Sequence, residues 1–240
     1  MGELSRVFDR PIKYQGLREA YGEALARLGE KYEDIVVLDA DLSSSTKTSI
    51  FAKKFPDRFF NMGVAEQNMM GFAAGLAAAG KIPFVSTFAI FASGRAWEQV
   101  RQSIAYPSLN VKIVATHGGI TVGEDGASHQ CTEDIALMRV LPNMTIIIPT
   151  DAVETEKVIE TIVKIHGPFY IRISRAKFPV IFDSSHSFEV GKGYILKDGE
   201  DIAIIATGLM VSYALEAAIM AEKEGISVLV AGMPTIKPLD

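Results

Sequence analysis

The sequence has almost no cysteine: Cys131 is the only one among 240 residues. A single thiol cannot form a disulfide within the chain, which excludes the small disulfide-stabilised domains of secreted proteins. The cysteine content therefore indicates a reducing compartment, and we expect the protein in the cytoplasm.

Long apolar runs are absent as well. The longest stretch that is nearly free of charge, residues 67–94, contains Lys81 and is interrupted by Gly80 and Pro83. A membrane span needs about 20 consecutive apolar residues, so this stretch predicts a helix followed by a strand instead. The N-terminus lacks the apolar core of a signal peptide, and Arg6 stands where a myristoylation motif requires Ser or Thr. We expect no association with a membrane.

The chain has no excess of positive charge, since 24 Lys and Arg against 29 Asp and Glu give a net charge of −5. Nucleic acids and anionic membranes attract basic surfaces, so neither is an expected partner, although a local basic pocket for a small phosphate stays open. Hydrophobic residues make up 48% of the chain. That share supports a sizeable core in one large or two modest domains.

Several familiar motifs are missing. The sequence contains no phosphate-binding Walker A loop, no Gly-x-Ser-x-Gly elbow and no complete dinucleotide fingerprint. Asp39 and Asp41 resemble the start of a calcium loop, but Ser44 and Ile50 stand where that loop requires Gly and Glu. The run from His129 to Cys131 offers only two metal ligands where a structural site needs four. We therefore expect no metal ligand in this chain.

Apolar runs alternate with amphipathic segments over the first 177 residues. The expected strands are continuous apolar runs, which are typical of a parallel sheet covered on both faces. They lie at residues 35–38, 59–60, 84–87, 111–116, 145–148 and 169–173. Helices are expected at 15–31, 61–80, 94–105, 133–139 and 151–166, with a hydroxyl-rich loop at 43–48 and a short helix ending at Phe55. This order predicts an α/β fold, a three-layer αβα domain with a mainly parallel sheet.

A second unit follows a linker. Residues 178–192, with Pro179 and a cluster of Ser and His, are interpreted as the linker. In residues 193–240 the pattern predicts strands at 194–196, 202–206 and 228–231 and a helix at 211–224. Because these few elements are not enough for an independent domain, we expect a second, truncated α/β domain.

The helix predicted over residues 61–80 is apolar and contains one carboxylate, Glu66, near its start. It can begin at Asn61 or Gly63 and ends at Gly80. No cation lies close to Glu66 in the sequence. Either the carboxylate is simply favoured by the positive end of the helix dipole, or it is a working acid in an apolar site.

A fifteen-residue loop with four glycines, His117 to Cys131, follows a predicted strand. Open parallel sheets place ligands beyond the carboxyl ends of their strands, and a loop of this length inside a domain is usually functional or disordered. Glu124, Asp125 and His129 lie on it together with His117. Two histidines with a carboxylate can move protons and bind hydroxyls near neutral pH, so we favour a functional loop over a solvated one.

Two further polar positions follow strand ends. Arg175, after the strand at 169–173, can hold a phosphate through two parallel hydrogen bonds, or it can be a surface arginine paired with a carboxylate. Ser45 and its neighbouring serines, after the strand at 35–38, can donate hydroxyls or form an ordinary polar loop.

Six segments between Asp39 and Arg175 resemble the C-terminal half of transketolase and occur in the same order. They are DADLSSST, FNMGVAEQNMMGFAAGLA, STFAIF, ATHGGITVGEDGASHQ, LPNMTIIIPTD and YIRISR. The ATH run followed by GEDG-x-x-HQ is highly specific. The resemblance implies the pyrimidine-binding domain of a thiamine-diphosphate enzyme over residues 1–177, followed by the start of the family's C-terminal domain at 193–240.

The resemblance also implies roles for a carboxylate and two aromatic residues. Glu66 falls on the family's catalytic glutamate, which binds the ring nitrogen of the cofactor's aminopyrimidine and favours its imino tautomer. Phe91, with Phe88 beside it, falls on the aromatic wall against which the pyrimidine stacks. Without the resemblance both rings are interpreted as core residues.

By the same resemblance, five residues would contact the sugar substrate. Asp125 would take a hydroxyl near the donor's reacting carbons, and His129 would move protons at the reacting carbonyl. His117 and Arg175, with Ser45, would meet the sugar phosphate.

Two positions depart from the family's pattern. Gly94 stands where larger members have a further aromatic residue, and Gln15 falls near the place of a phosphate-binding arginine.

The motif that holds the cofactor's diphosphate is absent. The family binds that group and its Mg²⁺ through a separate domain with a Gly-Asp-Gly pattern, which does not occur in this sequence. The resemblance therefore implies thiamine diphosphate shared with a partner, an N-terminal transketolase subunit that holds the Mg²⁺. Because the family's sites lie between subunits, we expect a homodimer or a heterotetramer with two copies of each subunit.

Three functional hypotheses stay open. The first is the catalytic half of a split transketolase that moves a two-carbon ketol unit between sugar phosphates. The second is a related thiamine enzyme, either deoxyxylulose-phosphate synthase, to which the run from Arg95 to Gln99 is similar, or a 2-oxo-acid dehydrogenase beta subunit. The third is a non-catalytic assembly module with the same fold.

Overall fold

The computed structural model describes residues 13–240. The first twelve residues, which carry the expectations about a signal peptide and myristoylation, lie outside this range. Among the described residues, no helix combines the length and the apolar character that a membrane span requires.

Helices and strands alternate through the first unit. Its elements are β1 (Tyr14–Gly16), α1 (Leu17–Lys31), β2 (Ile35–Asp39), α2 (Ser43–Thr46), α3 (Ser49–Lys54), β3 (Phe59–Asn61), α4 (Glu66–Ala78), β4 (Ile82–Phe88), α5 (Trp97–Gln99), β5 (Lys112–Thr116), α6 (Asp134–Arg139), β6 (Thr145–Ile147), α7 (Ala152–Ile162), β7 (Phe169–Arg172) and β8 (Lys177–Pro179). Two π-helical segments, Phe91–Arg95 and Val100–Ala105, flank α5. The second unit contains β9 (Tyr194–Lys197), β10 (Ile202–Ala206), α8 (Met210–Lys223), β11 (Val228–Gly232) and β12 (Thr235–Lys237).

The main sheet has seven strands in the order β12-β6-β7-β5-β4-β2-β3. Every neighbouring pair in it is parallel except β12 with β6. Every residue of β2 and of β5 is buried, as expected for strands covered on both faces. The predicted α/β fold with a mainly parallel sheet is confirmed.

Two apolar clusters lie on opposite faces of this sheet, because successive strand residues point to opposite sides. On one side Val36 and Leu38 pack with Met69 of α4. On the other side Val37 packs with Tyr21 of α1. The second cluster also contains residues of α3 and α7, and the first contains residues of the π-helical segment 100–105 and α6. Helices therefore cover both faces, which gives the three αβα layers.

The second unit reaches back into the main sheet. Strands β9, β10 and β11 form a separate three-stranded sheet packed against α8. The chain then returns to the first unit, where Thr235 of β12 pairs with Ile147 of β6. The sequence did not predict this strand, since its partner lies far earlier in the chain and local pattern carries no information on such pairings.

The predicted start of the central helix was wrong. The helix begins at Glu66, not at Asn61 or Gly63. The Asn61 amide instead bonds to the side chain and backbone of Asp41 and to the backbone N–H of Gly63, which fixes a turn ahead of the helix.

Two segments expected to be irregular are ordered. Residues expected as a hydroxyl-rich loop include α2, because Thr46 and Thr48 donate their hydroxyls to the buried Asp39 carboxylate. The predicted linker begins within β8, which pairs antiparallel with β1.

The helix predicted from Gly94 starts earlier, as the π-helical segment at Phe91.

Candidate functional site

The candidate site lies beyond the carboxyl ends of four adjacent parallel strands. Strands β2, β4, β5 and β7 are neighbours in the sheet, so their carboxyl ends share one edge. Ser45 follows β2, Phe88 ends β4, His117 follows β5 and Arg175 follows β7. The topology therefore brings together residues that are far apart in sequence, as open α/β sheets do at their ligand sites.

Glu66 is the first residue of α4 and its side chain is 1% exposed. The positive end of the helix dipole favours a carboxylate at this position. Its charge partner is Arg95, which lies 29 residues later in the sequence. Nη1 of Arg95 donates a hydrogen bond to Oε2 of Glu66 at 2.7 Å. No sequence pattern indicates this ion pair, which forms only because the π-helical segment 91–95 faces the start of α4.

Four rings form an aromatic cluster beside this ion pair: Phe88, Phe91, His117 and His129. Phe88 and Phe91 are nearly parallel with centroids 5.9 Å apart, and His129 meets Phe91 edge-on at 5.5 Å. The guanidinium carbon of Arg95 lies 4.4 Å from the centroid of Phe91. Glu66 and the histidine-bearing loop thus border the same aromatic surface.

His117 is held in an unusual conformation at the end of β5. Its φ is +60°, a region that non-glycine residues rarely adopt, and such strain concentrates at functional sites. Its ring is 2% exposed, and Nδ1 lies 2.9 Å from the Thr116 hydroxyl. Burial, together with the nearby charges of Arg18 and Arg175, lowers the pKa of His117 to about 4 although Asp125 opposes the shift. The imidazole is therefore neutral at pH 7.

Two arginines, Arg18 and Arg175, form the positive end of the site. Nη1 of Arg18 donates to the backbone carbonyl of Ser45 at 2.8 Å, while its Nε is buried with no hydrogen-bond partner within residues 13–240. Nε of Arg175 lies 3.7 Å from Oδ2 of Asp125, which is equally far from Nε2 of His117. Burial lowers the pKa of Arg18, and the charge of Arg175 adds to this shift, while the charges of Glu19 and Asp125 oppose it. A buried N–H without an acceptor beside a second cation indicates a place for an anion.

Sequence reasoning missed Arg18. In the sequence, Gln15 falls near the place of the family's phosphate-binding arginine and no counterpart was named, and Gln15 lies in β1 opposite Phe178. Arg18 lies in the first turn of α1, where helical spacing alone marks it as an ordinary surface charge. Its position three residues after Gln15, in the first turn of a predicted helix, is the signal that could have identified it.

The loop that carries the histidines is shaped by close backbone contacts. Gly123 has a φ of +71°, and a Cβ at this position would lie 2.6 Å from Nη1 of Arg175. Arg172 passes equally close to Gly118 while its Nε donates to Oδ2 of the buried Asp134 at 2.9 Å. The glycines therefore allow both arginines to lie against the loop. Two turns of 3₁₀-helix, Gly123–Asp125 and Ala127–His129, occupy the part expected to be irregular.

Every residue expected at the site lies within this region of the structure: Ser45, Glu66, Phe88, Phe91, His117, Asp125, His129 and Arg175. Asp125 and His129 are half-buried on the loop, and Nδ1 of His129 lies 3.0 Å from the Ser128 hydroxyl. Within the described residues no three His, Cys, Asp or Glu side chains converge to hold a metal ion.

Comparisons with known proteins agree on one family. Residues 13–180 match the family model described as transketolase, pyrimidine binding domain, and residues 191–240 match transketolase, C-terminal domain. The chain is 60% identical over 95% of its length to a putative transketolase C-terminal section of Methanocaldococcus jannaschii, of which it covers 72%. It is 40% identical to human transketolase over 93% of its length but covers only 36% of that protein.

A solved structure gives the same result. The structure is described as a split gene transketolase in an inactive beta4 tetramer, and it superposes with a TM-score of 0.86 at 57% identity. The alignment covers 94% of this chain and 73% of that one. The chain belongs to the transketolase family, with matches to its pyrimidine-binding domain and to its C-terminal domain.

Proposed function

We propose that this chain is the C-terminal subunit of a thiamine-diphosphate-dependent transketolase, which transfers a two-carbon ketol unit from a ketose phosphate to an aldose phosphate. One observation carries the proposal: Glu66, 1% exposed at the start of a helix, borders an aromatic surface that also contacts His129. The family membership of the chain supports it.

The residues around Glu66 fit the pyrimidine end of the cofactor. A planar heterocycle with ring nitrogens needs a carboxylate partner and an aromatic face, and here Glu66 and the half-buried Phe91 supply them. Phe88 is 4% exposed and stacks on His117, so its contribution is to support the cluster. When bound, thiamine diphosphate supplies the carbanion chemistry, and the protein supplies position and electrostatics. Glu66 would hold a proton at the pyrimidine nitrogen.

The polar residues of the site suit a phosphorylated sugar. Arg18 and Arg175 would bind the phosphate, with the Ser45 hydroxyl and the neutral imidazole of His117 beside it. Asp125, which already faces His117 and Arg175, would accept a hydrogen bond from a sugar hydroxyl. His129, half-buried on the loop, would give a proton to or take one from the reacting carbonyl oxygen.

A second subunit completes the proposed enzyme. The sequence contains no Gly-Asp-Gly motif, so the diphosphate and its Mg²⁺ would be held by a partner that carries the diphosphate-binding domain. We propose an assembly with two copies of each subunit, acting in the cytoplasm. The division of this chain at residues 178–192 stays a prediction.

The test of this proposal is reconstitution with the partner subunit, thiamine diphosphate and Mg²⁺. Ketol transfer from xylulose 5-phosphate is measured for the wild-type chain and for Glu66→Ala, which we expect to be about a hundredfold slower or worse because it loses the proton-sharing group. Glu98→Ala is the matched control, since Glu98 is exposed and its carboxylate accepts a hydrogen bond only from the Gln99 side chain among the described residues. Full activity in Glu66→Ala contradicts the proposed role.

The same assay separates the related thiamine enzymes. The similarity of residues 95–99 to deoxyxylulose-phosphate synthase makes that enzyme the second candidate. Product formation from pyruvate, with none from xylulose 5-phosphate, would favour the synthase or the 2-oxo-acid dehydrogenase subunit. No product from either substrate, with the complex assembled and thiamine diphosphate bound, would leave the non-catalytic module.

A further inference from the structure

We propose that Arg95 competes with the pyrimidine ring for Glu66 and Phe91: its guanidinium contacts both residues, and its side chain would have to move away for the ring to bind. This inference rests on the proposed function, since it takes Glu66 and Phe91 as the cofactor contacts. It assigns a role to a residue whose sequence context indicated only a similarity to the synthase.

The guanidinium of Arg95 contacts both residues that are proposed to bind the pyrimidine ring, Glu66 and Phe91. This single planar cation donates to Oε2 of Glu66 at 2.7 Å and places its central carbon 4.4 Å from the ring centroid of Phe91. An aminopyrimidine is also a planar group that pairs with a carboxylate and stacks on an aromatic face. The proposal places the ring on the face of Phe91 that Arg95 covers, next to the same carboxylate oxygen, so the ring and the guanidinium would exclude each other.

Arg95 neutralises the buried charge of Glu66. The Glu66 side chain is almost completely buried, and a buried carboxylate without a cation is strongly destabilising. Within residues 13–240, Arg95 is the only residue that forms an ion pair or a hydrogen bond with this side chain. Arg95 therefore stabilises the buried carboxylate of Glu66.

Arg95 is also free to leave. Its side chain is 45% exposed, whereas Glu66 is 1% exposed, so one partner is fixed and the other borders solvent. Among the described residues, Glu66 is also its only hydrogen-bond partner. Arg95 ends the π-helical segment 91–95, in which the N–H of Ala96 donates to the carbonyl of Phe91. π-helical turns are rare and are frequent at functional sites, and this one brings Arg95 over a ring of its own turn.

The experiment compares cofactor affinity with stability. In the complex with the partner subunit, the Kd of thiamine diphosphate with Mg²⁺ is measured by titration calorimetry for wild type, Arg95→Ala and Arg101→Ala. The thermal unfolding temperature of the chain alone is measured for the same three proteins. Arg101 is the matched control because it is an exposed arginine in the second π-helical segment.

We expect Arg95→Ala to bind thiamine diphosphate about tenfold more tightly, because no ion pair has to be broken, and to unfold at a lower temperature when free. Arg101→Ala should change neither quantity. If Arg95→Ala does not fold, the double variant with Glu66→Gln restores the free chain, since a neutral amide needs no cation, and its unfolding temperature is then compared with that of Glu66→Gln alone. If Arg95→Ala lowers the unfolding temperature as much in the Glu66→Gln variant as in wild type, Arg95 does not stabilise the chain through the charge of Glu66.

Weaker or unchanged affinity in Arg95→Ala overturns the inference, since Arg95 would then contact the cofactor or not need to move. If the wild-type complex binds no thiamine diphosphate, the proposed function itself fails, and the inference with it. Tight wild-type binding that Arg95→Ala does not improve overturns the inference alone.

Discussion

His117 stacks directly on Phe88, with ring centroids 3.8 Å apart and an angle of 25° between the planes. The stack joins the end of β4 to the residue after β5 and helps to bury an imidazole among charged side chains. Burial of the ring in this stack is the largest cause of the low pKa of His117. The ring therefore stays neutral although Arg18, Arg175, Asp125 and His129 surround it.

The burial of His117 makes the stability of the chain depend on pH. Its pKa falls from 6.5 to about 4 on folding, chiefly through burial. Between these values the unfolded chain binds more protons than the folded chain, so the free energy of unfolding decreases as pH drops from about 6.5 to 4. One group contributes a slope of at most about 1.4 kcal/mol per pH unit.

Replacing His117 with Asn isolates this contribution, because Asn tolerates the positive φ at this position. We expect urea unfolding of His117→Asn to show a flatter dependence on pH between 6.5 and 4 than wild type. His166→Asn is the control, since His166 is exposed. Identical pH profiles for the two variants would contradict a buried neutral His117.

The Nε atom of Arg18, which has no hydrogen-bond partner within residues 13–240, leads to a second prediction. If Arg18 binds the sugar phosphate, Arg18→Gln removes at least one charge-assisted hydrogen bond, worth about 1.5–3 kcal/mol. In the reconstituted enzyme we expect the KM for a phosphorylated ketose donor to rise by roughly 10- to 100-fold with little change in kcat.

An unphosphorylated ketose donor serves as the internal control for Arg18. Wild type and Arg18→Gln should use it with similar kcat/KM, because the phosphate contact is then missing from both. A variant that is equally impaired with both donors would show that Arg18 acts through the fold of α1 and not through the phosphate.

The architecture could be predicted from the sequence because its signals are local. Continuous apolar runs identify strands buried on both faces, and Asp151 identifies the start of α7, where its carboxylate accepts the N–H of Glu154. The start of α4 depends on the contact of the Asn61 side chain with Asp41, which lies 20 residues earlier in the chain. Strand β8 forms because the chain returns to pair with β1. Neither leaves a periodic pattern in its own segment.

The candidate site divides in the same way. Glu66 lies near the start of a predicted helix, and the loop from His117 to His129 follows a predicted strand. Both could therefore be placed from the sequence. The pairing of Glu66 with Arg95 was not predictable, since a π-helical turn breaks the 3.6-residue period on which helical facing is judged. The approach of Arg18 to Arg175 depends on how α1 packs, which no local pattern encodes.

At the base of the histidine loop, Asp134 is fully buried. Its Oδ2 accepts hydrogen bonds from Nε of Arg172 and from the hydroxyl of Tyr170, both at 2.9 Å. Arg172→Met keeps the apolar stem but leaves Asp134 without a cation. Breaking a buried ion pair from one side costs about 3–5 kcal/mol, so we expect a loss of that size in the free energy of unfolding.

The control for Arg172 is Arg27→Met on the outer surface of α1, which breaks the exposed pair with Glu156. Exposed pairs contribute about 0–1 kcal/mol, so urea unfolding of this variant should stay close to wild type. The double variant of Arg172→Met with Asp134→Asn should recover part of the loss, since the remaining amide carries no charge. Equal effects of Arg172→Met and Arg27→Met would mean that Asp134 is not held as a charged group.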